Sequence, residues 1–281
     1  MKITVLIDNN PHPEQNLLTE HGLSIYFEAD GFKWLLDVGA SGQFLTNAQK
    51  LGINIGNVDY LILSHGHSDH AGGLDYFLNA NKKAKVFLSA HVENKIFIST
   101  RRSSKRDITM DHNIVAQNPE RFTLIKDDFQ VSKQVGIICN IPKIYNSPKG
   151  NSKLLMVDSK GEQPDDLRHE MAIAVNTESG IVVFSGCSHN GILNILNSSS
   201  AYFGNEQISA CIGGTHLIDS NSVNIYESDA EISEIGKTIL RLYPGMQLIT
   251  GHCTGLRAQK ILSEILNGNF QLLHSGATFM F

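Results

Sequence analysis

The stretch Ser64-His65-Gly66-His67-Ser68-Asp69-His70-Ala71-Gly72-Gly73 concentrates three histidines and one aspartate in a single polar string. It follows the apolar run Tyr60–Leu63, which predicts a short buried strand that ends at this string. His65 and His67 are two residues apart, so in an extended or turning segment both imidazoles can point to one side and share an ion. Asp69 and His70 follow on the turn and can serve a neighbouring ion. The glycines let the backbone fold tightly beneath such ions.

Three more predicted strands also run into a histidine. The apolar segment 182–186 leads to His189, segment 210–214 leads to His216, and segment 248–251 leads to His252. In layered α/β proteins, ligands gather at the loops beyond the carboxyl ends of strands. Imidazole and carboxylate suit Zn²⁺, and also Fe or Mn. The pattern predicts two divalent metal ions, with Zn²⁺ favoured, and the candidate ligands are His65, His67, Asp69, His70, His189 and His252.

The rest of the chain alternates apolar strands with helical stretches, which indicates an α/β fold. Strands are predicted at 3–7, 23–29, 33–37, 85–88, 122–125, 154–157, 171–175, 181–185, 208–212 and 247–250. Helices are predicted at 41–51, 74–78, 192–197, 230–242 and 255–266. The pattern weakens between about Thr100 and Arg168, which we interpret as an inserted region or a lid over a site. We expect one domain over residues 1–281.

Composition excludes several classes of protein. The 281 residues are 41% apolar, enough to build a packed core, and the formal net charge of −5 gives no indication of generic nucleic-acid binding. The four cysteines contain no CxxC pair, which is typical of reduced intracellular thiols. The first apolar run is too short for a signal peptide, and no run approaches the roughly 18 residues of a membrane span. We therefore expect a cytoplasmic protein with no membrane partner.

The string HGHSDH resembles the HxHxDH signature of the metallo-β-lactamase superfamily. That resemblance implies an αββα sandwich with a metal site at one edge. Asp37, at the end of a predicted strand, is similar to the superfamily's early aspartate, which supports the metal loop. Thr250-Gly251-His252 is similar to its final ligand motif.

The segments around Glu170, Gly186-Cys187-Ser188-His189, Gly214-Thr215-His216 and Gly251-His252-Cys253 resemble a narrower subgroup. That subgroup is usually labelled 7,8-dihydropterin-6-yl-methyl-4-(β-D-ribofuranosyl)aminobenzene-5′-phosphate synthase, a methanopterin-pathway transferase. One departure concerns the metal bridge. Many hydrolytic relatives carry Gly-Asp where this chain has Gly186-Cys187, so no bridging aspartate is available there.

Other residues are assigned by their position near these strand ends. Asp69 and His216 are the candidate catalytic residues, and His216 is expected to contact substrate or donate a proton rather than to bind metal. Glu170 is a candidate for substrate contact or for supporting the site. Arg101 and Arg102, in the basic cluster RRSSKR, could hold a phosphate. Cys187 and Cys253 are expected to pack under the site more readily than to bind metal. The remaining histidines, His169 and His21 among them, are expected at the surface or in turns.

These features favour a dinuclear-metal enzyme that acts on a small anionic substrate. Hydrolysis of a phosphoester or related ester is the expectation from the superfamily, with a hydroxide held between the two metals as the attacking group. Transfer of a pterin diphosphate is the alternative that the subgroup label implies. A diiron redox protein is a further alternative. The sequence shows no flavin domain, which counts against it. The substrate, the metal and the oligomeric state stay open at this point.

Overall fold

The structure is a computed structural model that describes residues 1–102 and 104–281. Two seven-stranded sheets lie face to face, and helices cover the outer face of each. This arrangement confirms the predicted αββα sandwich. It also explains the sequence pattern, because strands that are covered on both faces are apolar along most of their length.

The first sheet has the strand order β18-β1-β2-β3-β4-β5-β8. Its strands are β1 (Lys2–Ile7), β2 (Ser24–Ala29), β3 (Phe32–Leu36), β4 (Tyr60–Ile62), β5 (Lys85–Ser89), β8 (Phe122–Ile125) and β18 (Thr278–Met280). A hairpin turn at Asp30-Gly31 joins β2 to β3, and both turn residues adopt the left-handed backbone that such a turn requires. From β3 to β8 the strands run parallel, so their carboxyl ends share one edge.

The second sheet has the order β17-β16-β15-β14-β13-β10-β9. Its strands are β9 (Phe129–Gln130), β10 (Val135–Ile138), β13 (Ala172–Thr177), β14 (Gly180–Ser185), β15 (Ile208–Gly213), β16 (Gln247–Thr250) and β17 (Phe270–Leu272). Strands β14 to β17 are parallel, which brings the segments after β14, β15 and β16 to one edge.

The region 100–168 is not one continuous insertion. Strands β8, β9 and β10 within it belong to the two main sheets. The remainder contributes to a separate four-stranded sheet, whose strands are β6 (Ile96–Ser99), β7 (Arg106–Asp107), β11 (Leu154–Asp158) and β12 (Gly161–Pro164). This small sheet packs onto the main fold through Phe97, Leu154 and Met156.

Helices fill the outer layers. Their bounds are α1 (Gln43–Lys50), α2 (Ser68–Ala71), α3 (Leu74–Ala80), α4 (His112–Gln117), α5 (Ile192–Tyr202), α6 (Asp229–Leu242) and α7 (Leu256–Leu266). Helices α1 and α3 pack on the first sheet, and α5, α6 and α7 pack on the second. Helix α6 begins with a capping box, in which Ser228 and Glu231 each accept from the other's backbone N–H. Among the described residues, no helix combines the length and the apolar character that crossing a membrane requires.

The core between the two sheets is almost free of polar groups. Phe27 of the first sheet stacks on Phe184 of the second, with ring centroids 4.4 Å apart. At one edge of this rigid sandwich the strands end in strained turns. Asp37, Ser188, His216 and His252 all have positive φ angles, a conformation that non-glycine residues rarely adopt. Such strain tends to cluster where a fold positions functional groups.

Candidate metal centre

The loop that follows β4 carries the HGHSDH string and leads into the short helix α2. Two glycines allow this loop to lie directly on the backbone beneath it. A Cβ atom at Gly72 would come within 2.4 Å of the Ala40 carbonyl oxygen, and one at Gly73 would come within 2.2 Å of the Val38 oxygen. The predicted need for glycine at these positions is therefore confirmed.

Asp37 anchors this loop, as the sequence predicted. One carboxylate oxygen accepts from the Ser64 backbone N–H at 2.7 Å, and the other accepts from the Ser64 hydroxyl at 2.7 Å. The second oxygen also accepts from Nδ1 of His70 at 2.6 Å. Asp37 is fully buried and takes its hydrogen bonds from the loop, so it holds the loop rather than facing the cavity.

A first group of candidate ligands consists of His65, His67 and His189, whose ligand atoms all lie within 4.8 Å of one another. The Nε2 atom of each is buried and has no hydrogen-bond partner. The other ring nitrogen fixes the tautomer in two of them. His189 Nδ1 lies 3.0 Å from Asn151 Oδ1 and donates to it, while His65 Nδ1 lies 2.8 Å from the Ser64 hydroxyl oxygen. The Nε2 lone pairs of His65 and His189 are therefore free to bind a cation.

Burial keeps this group uncharged. Loss of solvent and the neighbouring imidazoles hold the pKa of His65 and of His189 well below the usual histidine range. Burial also lowers the pKa of His67. Neutral imidazole is the form that binds metal, whereas a protonated ring cannot.

A second group consists of Asp69, His70, Cys187 and His252, again within 4.8 Å of one another. His70 Nδ1 donates to Asp37, and His252 Nδ1 donates to Asn9 Oδ1 at 3.1 Å. Both Nε2 atoms consequently carry lone pairs, yet they face each other at 3.0 Å. Two ring nitrogens can approach this closely when a proton or a metal cation lies between them.

The local field also favours a positive charge here. Burial by itself would lower the pKa of His252, but the hydrogen bond and the charge of Asp69 help to raise it to about 9. In turn, although burial opposes ionisation, His70 and His252 hold the pKa of Asp69 well below its usual range. The donors of both groups fit transition-metal ions, and they include all six ligands that the sequence predicted.

Cys187 occupies a more central place than the sequence suggested. Its Sγ lies 3.3 Å from His70 Nε2, and Cys187 also forms a third group with His189 and His216. The thiol therefore stands between the two main groups of ligands, at the strand end where relatives are expected to carry a bridging aspartate. Cys253 instead donates to the Cys187 carbonyl oxygen at 3.4 Å and packs beneath it, as expected.

A cavity of about 260 Å³ opens above these groups. Its lining includes His67, Asp69, Cys187, His189 and His216. Arg101 and Arg106 of the basic cluster also line it. A small molecule in this cavity would meet the ligand groups on one side and two guanidinium groups on the other.

His216 lies at the wall of this cavity. Its Nε2 is within hydrogen-bond distance of the Arg101 guanidinium, which donates to it. Burial, and then the charge of Arg101, lower the pKa of His216 to about 4, so the ring is neutral. Arg101 is thereby held over the site, and its Nε is buried with no partner in the part of the chain that the structure describes.

The structure does not support two of the predicted substrate contacts. Glu170 is fully buried beneath the site, where its carboxylate accepts from the backbone N–H groups of His189 and Asn190 at 2.6 and 2.7 Å. It supports the ligand loop, which was the other role considered for it. Arg102 is exposed and does not line the cavity, because neighbouring side chains in this irregular segment point in different directions.

Two histidines expected at the surface or in turns do lie there, His21 exposed and His169 in a turn, but both are also next to the candidate ligands. His169 is fully buried, accepts from the Gly66 N–H at 3.1 Å, and donates to Asp165 at 3.1 Å. His21 lies 3.4 Å from the Asp69 carboxylate and stacks on His252. Asn9 and Asn151 were also missed, although each fixes the tautomer of a ligand. The polar string Asp8-Asn9-Asn10 directly after β1 was the one available signal, because it too follows a strand.

Comparison with known proteins agrees with this geometry. Residues 19–135 match the model of the metallo-beta-lactamase superfamily. The chain is 28% identical to the 7,8-dihydropterin-6-methyl-4-(beta-D-ribofuranosyl)-aminobenzene-5'-phosphate synthase of Methanocaldococcus jannaschii, over 100% of this chain and 97% of that protein. It is 25% identical to the uncharacterised protein MJ0448 of the same organism, over 98% of each.

A solved structure resembles the whole chain. Tm1679, described as a metal-dependent hydrolase of the beta-lactamase superfamily, is 30% identical and superposes with a TM-score of 0.82, covering 100% of this chain and 99% of its own. Zn²⁺-bound PqqB from Methylobacterium extorquens shares the fold alone, at 11% identity and a TM-score of 0.53 over 100% of both chains. The αββα layers and the candidate ligand groups at one edge agree with these similarities. Because the similarity extends over the full length at 30% identity, the chain belongs to the metallo-β-lactamase superfamily.

Proposed function

We propose that this protein is a dinuclear-metal enzyme that hydrolyses a phosphoester or a related ester of a small anionic molecule. The observation that carries the proposal is the convergence of two groups of buried potential ligand atoms under one cavity, which Arg101 and Arg106 also line. His65, His67 and His189 would hold one ion, and Asp69, His70 and His252 the other, with Cys187 beside both. Zn²⁺ is favoured over Fe or Mn by this mixture of imidazole, carboxylate and thiol.

The bound ions would supply Lewis acidity, which lowers the pKa of water and polarises a substrate oxygen. The chain itself supplies the remaining parts. Asn151, Asn9 and Asp37 orient the ligand imidazoles. Arg101 offers a guanidinium whose Nε has no protein partner, suited to a bidentate contact with phosphate. His216 holds that guanidinium over the cavity and keeps a second ring nitrogen for the substrate.

A transferase is the second candidate, and one observation favours it. The Methanocaldococcus jannaschii relative that matches over the full chain is described as a synthase whose product carries a dihydropterin and a 5'-phosphate. In a reaction of that kind the ions would bind a departing diphosphate, and Arg101 would neutralise its charge. The same cavity serves either reaction, because both need an anion held against the ligand groups.

The two candidates are separated by the products that the metal-loaded protein forms. Incubation with p-nitrophenyl phosphate and bis-p-nitrophenyl phosphate tests hydrolysis, and a dihydropterin diphosphate with an aminobenzene riboside phosphate tests transfer. Release of nitrophenol that stops on chelation supports hydrolysis. A condensed product that appears without net hydrolysis supports transfer, and absence of both reactions in a fully metal-loaded protein contradicts the proposal.

Arg101 and Arg102 form a matched pair for testing the anion contact. Arg101→Ala removes the guanidinium at the cavity, so KM for a phosphate-bearing substrate should rise about 10- to 100-fold, as expected when a charge-assisted contact worth roughly 1.5–3 kcal/mol is lost. Arg102→Ala removes an exposed guanidinium and should leave KM unchanged. Equal effects of the two substitutions on steady-state KM would contradict this placement of the substrate.

A further inference from the structure

A second cavity lies beside helices α5 and α6, and its lining shares no residue with that of the first cavity. Its volume is about 510 Å³, and it is bounded by the segment 145–149, the start of α5 and one side of α6. Ile192, Leu193, Leu217 and Ile235 contribute apolar surface, and Tyr145 contributes an aromatic ring. This size and composition are typical of sites that bind small organic molecules.

One buried carboxylate in this cavity lacks a partner. Glu227 is only 7% exposed, and its Oε1 accepts from the Lys149 backbone N–H. Its Oε2 is buried and has no hydrogen-bond partner among residues 1–102 and 104–281. An isolated carboxylate oxygen in such a setting is strongly unfavourable unless a donor reaches it.

The nearby cationic side chains are directed to other groups. The Lys149 ammonium pairs with Glu231 at 2.6 Å. Arg257 donates to the Glu227 carbonyl oxygen and to the Asp229 carboxylate, and Arg241 donates to the Thr238 hydroxyl at 3.4 Å. Glu234 adds a further acid to the lining. The lining of the cavity therefore combines apolar side chains with a carboxylate that has one buried, unpaired oxygen.

We propose that this cavity is a second ligand site, which binds a small molecule carrying an amino, amidino or guanidino group on a flat apolar body. The N–H group of that molecule donates to Glu227 Oε2, and its body packs between the apolar side chains of α5 and α6. The site is separate from the metal centre, so binding here does not require metal and does not rest on the proposed function.

Benzamidine is a suitable probe, because it joins an amidinium to a flat ring, and benzoate is its anionic counterpart of similar shape. Titration of the intact, metal-loaded protein by calorimetry should show benzamidine binding and no benzoate binding. Glu227→Gln keeps the oxygen that accepts from Lys149 but replaces the unpaired oxygen with an N–H donor. Benzamidine affinity should fall at least tenfold in this variant.

Glu206→Gln is the control for loss of one negative charge, because Glu206 is exposed and distant from the cavity lining. It should bind benzamidine as the unchanged protein does. Ile235→Trp offers an independent test, since a larger side chain fills the cavity without changing its charge and should abolish binding even if Glu227→Gln folds poorly. Metal content should be the same in all three variants. Absence of benzamidine binding at millimolar concentration, or an affinity in Glu227→Gln or Ile235→Trp equal to that of the unchanged protein, would overturn the proposal.

Discussion

At the scale of single residues, the metal centre is built by pairs in which one side chain binds and another orients it. Asp37 orients His70, Asn9 orients His252, and Asn151 orients His189. Each orienting group accepts a hydrogen bond from Nδ1–H, which leaves Nε2 pointed at the other candidate ligands. The tautomer of each ring is thus set before any ion arrives, and this lowers the cost of assembling the site.

Loss of Asp69 should weaken one of the two proposed metal sites and leave the other intact. Its carboxylate lies 3.6 Å from His252 Nε2 and 3.8 Å from His70 Nε2, whereas the group of His65, His67 and His189 does not include it. Asp69→Ala removes the anionic ligand of one site only, so metal content should fall from about two ions to about one per chain. Turnover should drop by orders of magnitude, because both ions are needed to activate and position the reacting groups.

Asp127→Ala is the control for this change, since Asp127 is an exposed aspartate outside the site. Elemental analysis and turnover of the two variants should be compared after the same purification. If Asp69→Ala retained two tightly bound ions and near-normal turnover, the assignment of Asp69 to the second ion would be wrong.

Asn151 should act through His189 alone. It donates to the His189 carbonyl oxygen at 2.7 Å and accepts from Nδ1 at 3.0 Å, so it fixes both the ring and the backbone of that ligand. Removing such a partner commonly lowers metal affinity about 10- to 100-fold. We expect Asn151→Ala to show a loss of that size in competition with a chelator, while Asn140→Ala, at an exposed asparagine, shows none. Unchanged affinity in Asn151→Ala would mean that His189 needs no orienting partner.

At the scale of secondary-structure elements, the sequence predicted best where local pattern and burial agree. The parallel strands β4, β14, β15 and β16 were predicted closely, because each is a short apolar run buried on both faces. The six ligands followed from these strands, since a histidine directly after a buried strand has few other places to lie. Helix α6 was placed within one residue, helped by its amphipathic face.

The edge strands and the small sheet could not be predicted from the local hydrophobic pattern of the sequence. Strands β7 and β9 contain two residues each and are exposed, so neither alternation nor hydrophobicity marks them. The pairing of β6 with β11 joins residues more than fifty positions apart, which no short window contains. Asn9 and Asn151 could not be predicted for the same reason. Each orients a candidate ligand that is distant in the sequence and close only in the folded chain.

Glu170 links two elements, since it precedes β13 and holds the loop that leads from β14 to α5. Glu170→Gln would replace an acceptor oxygen with an N–H group facing either the His189 or the Asn190 N–H. A buried hydrogen bond would then be lost and a donor left unpaired, at a cost of about 1–3 kcal/mol. Urea unfolding should show this decrease in the free energy of unfolding, with no decrease for Glu178→Gln at an exposed turn. A Glu170→Gln protein as stable as the unchanged one would show that the loop is held by other contacts.

At the scale of the whole molecule, the metal centre joins the two halves of the sandwich. His65, His67, Asp69 and His70 come from the first sheet, while Cys187, His189 and His252 come from the second. An ion bound by ligands from both sheets therefore cross-links them at one edge. Without the ions, the buried Nε2 atoms of His65, His67 and His189 have no hydrogen-bond partner among the described residues.

Removal of metal should therefore lower the stability of the entire fold. A ligand that binds only the native state stabilises it by about 4 kcal/mol when its free concentration is a thousand times its dissociation constant. For a chain of this size, such a loss corresponds to a fall in Tm on the order of 10 °C. Calorimetry before and after dialysis against a chelator should show this fall, and adding back Zn²⁺ should restore the original Tm.

The Asp69→Ala variant supplies an internal comparison for this measurement. If each ion cross-links the two sheets, this variant should begin with a lower Tm than the unchanged protein and lose less on chelation, because one ion is already absent. If the unchanged protein kept its Tm after complete removal of metal, the two sheets would be held together by the core around Phe27 and Phe184 alone, and the ions would serve chemistry without supporting the fold.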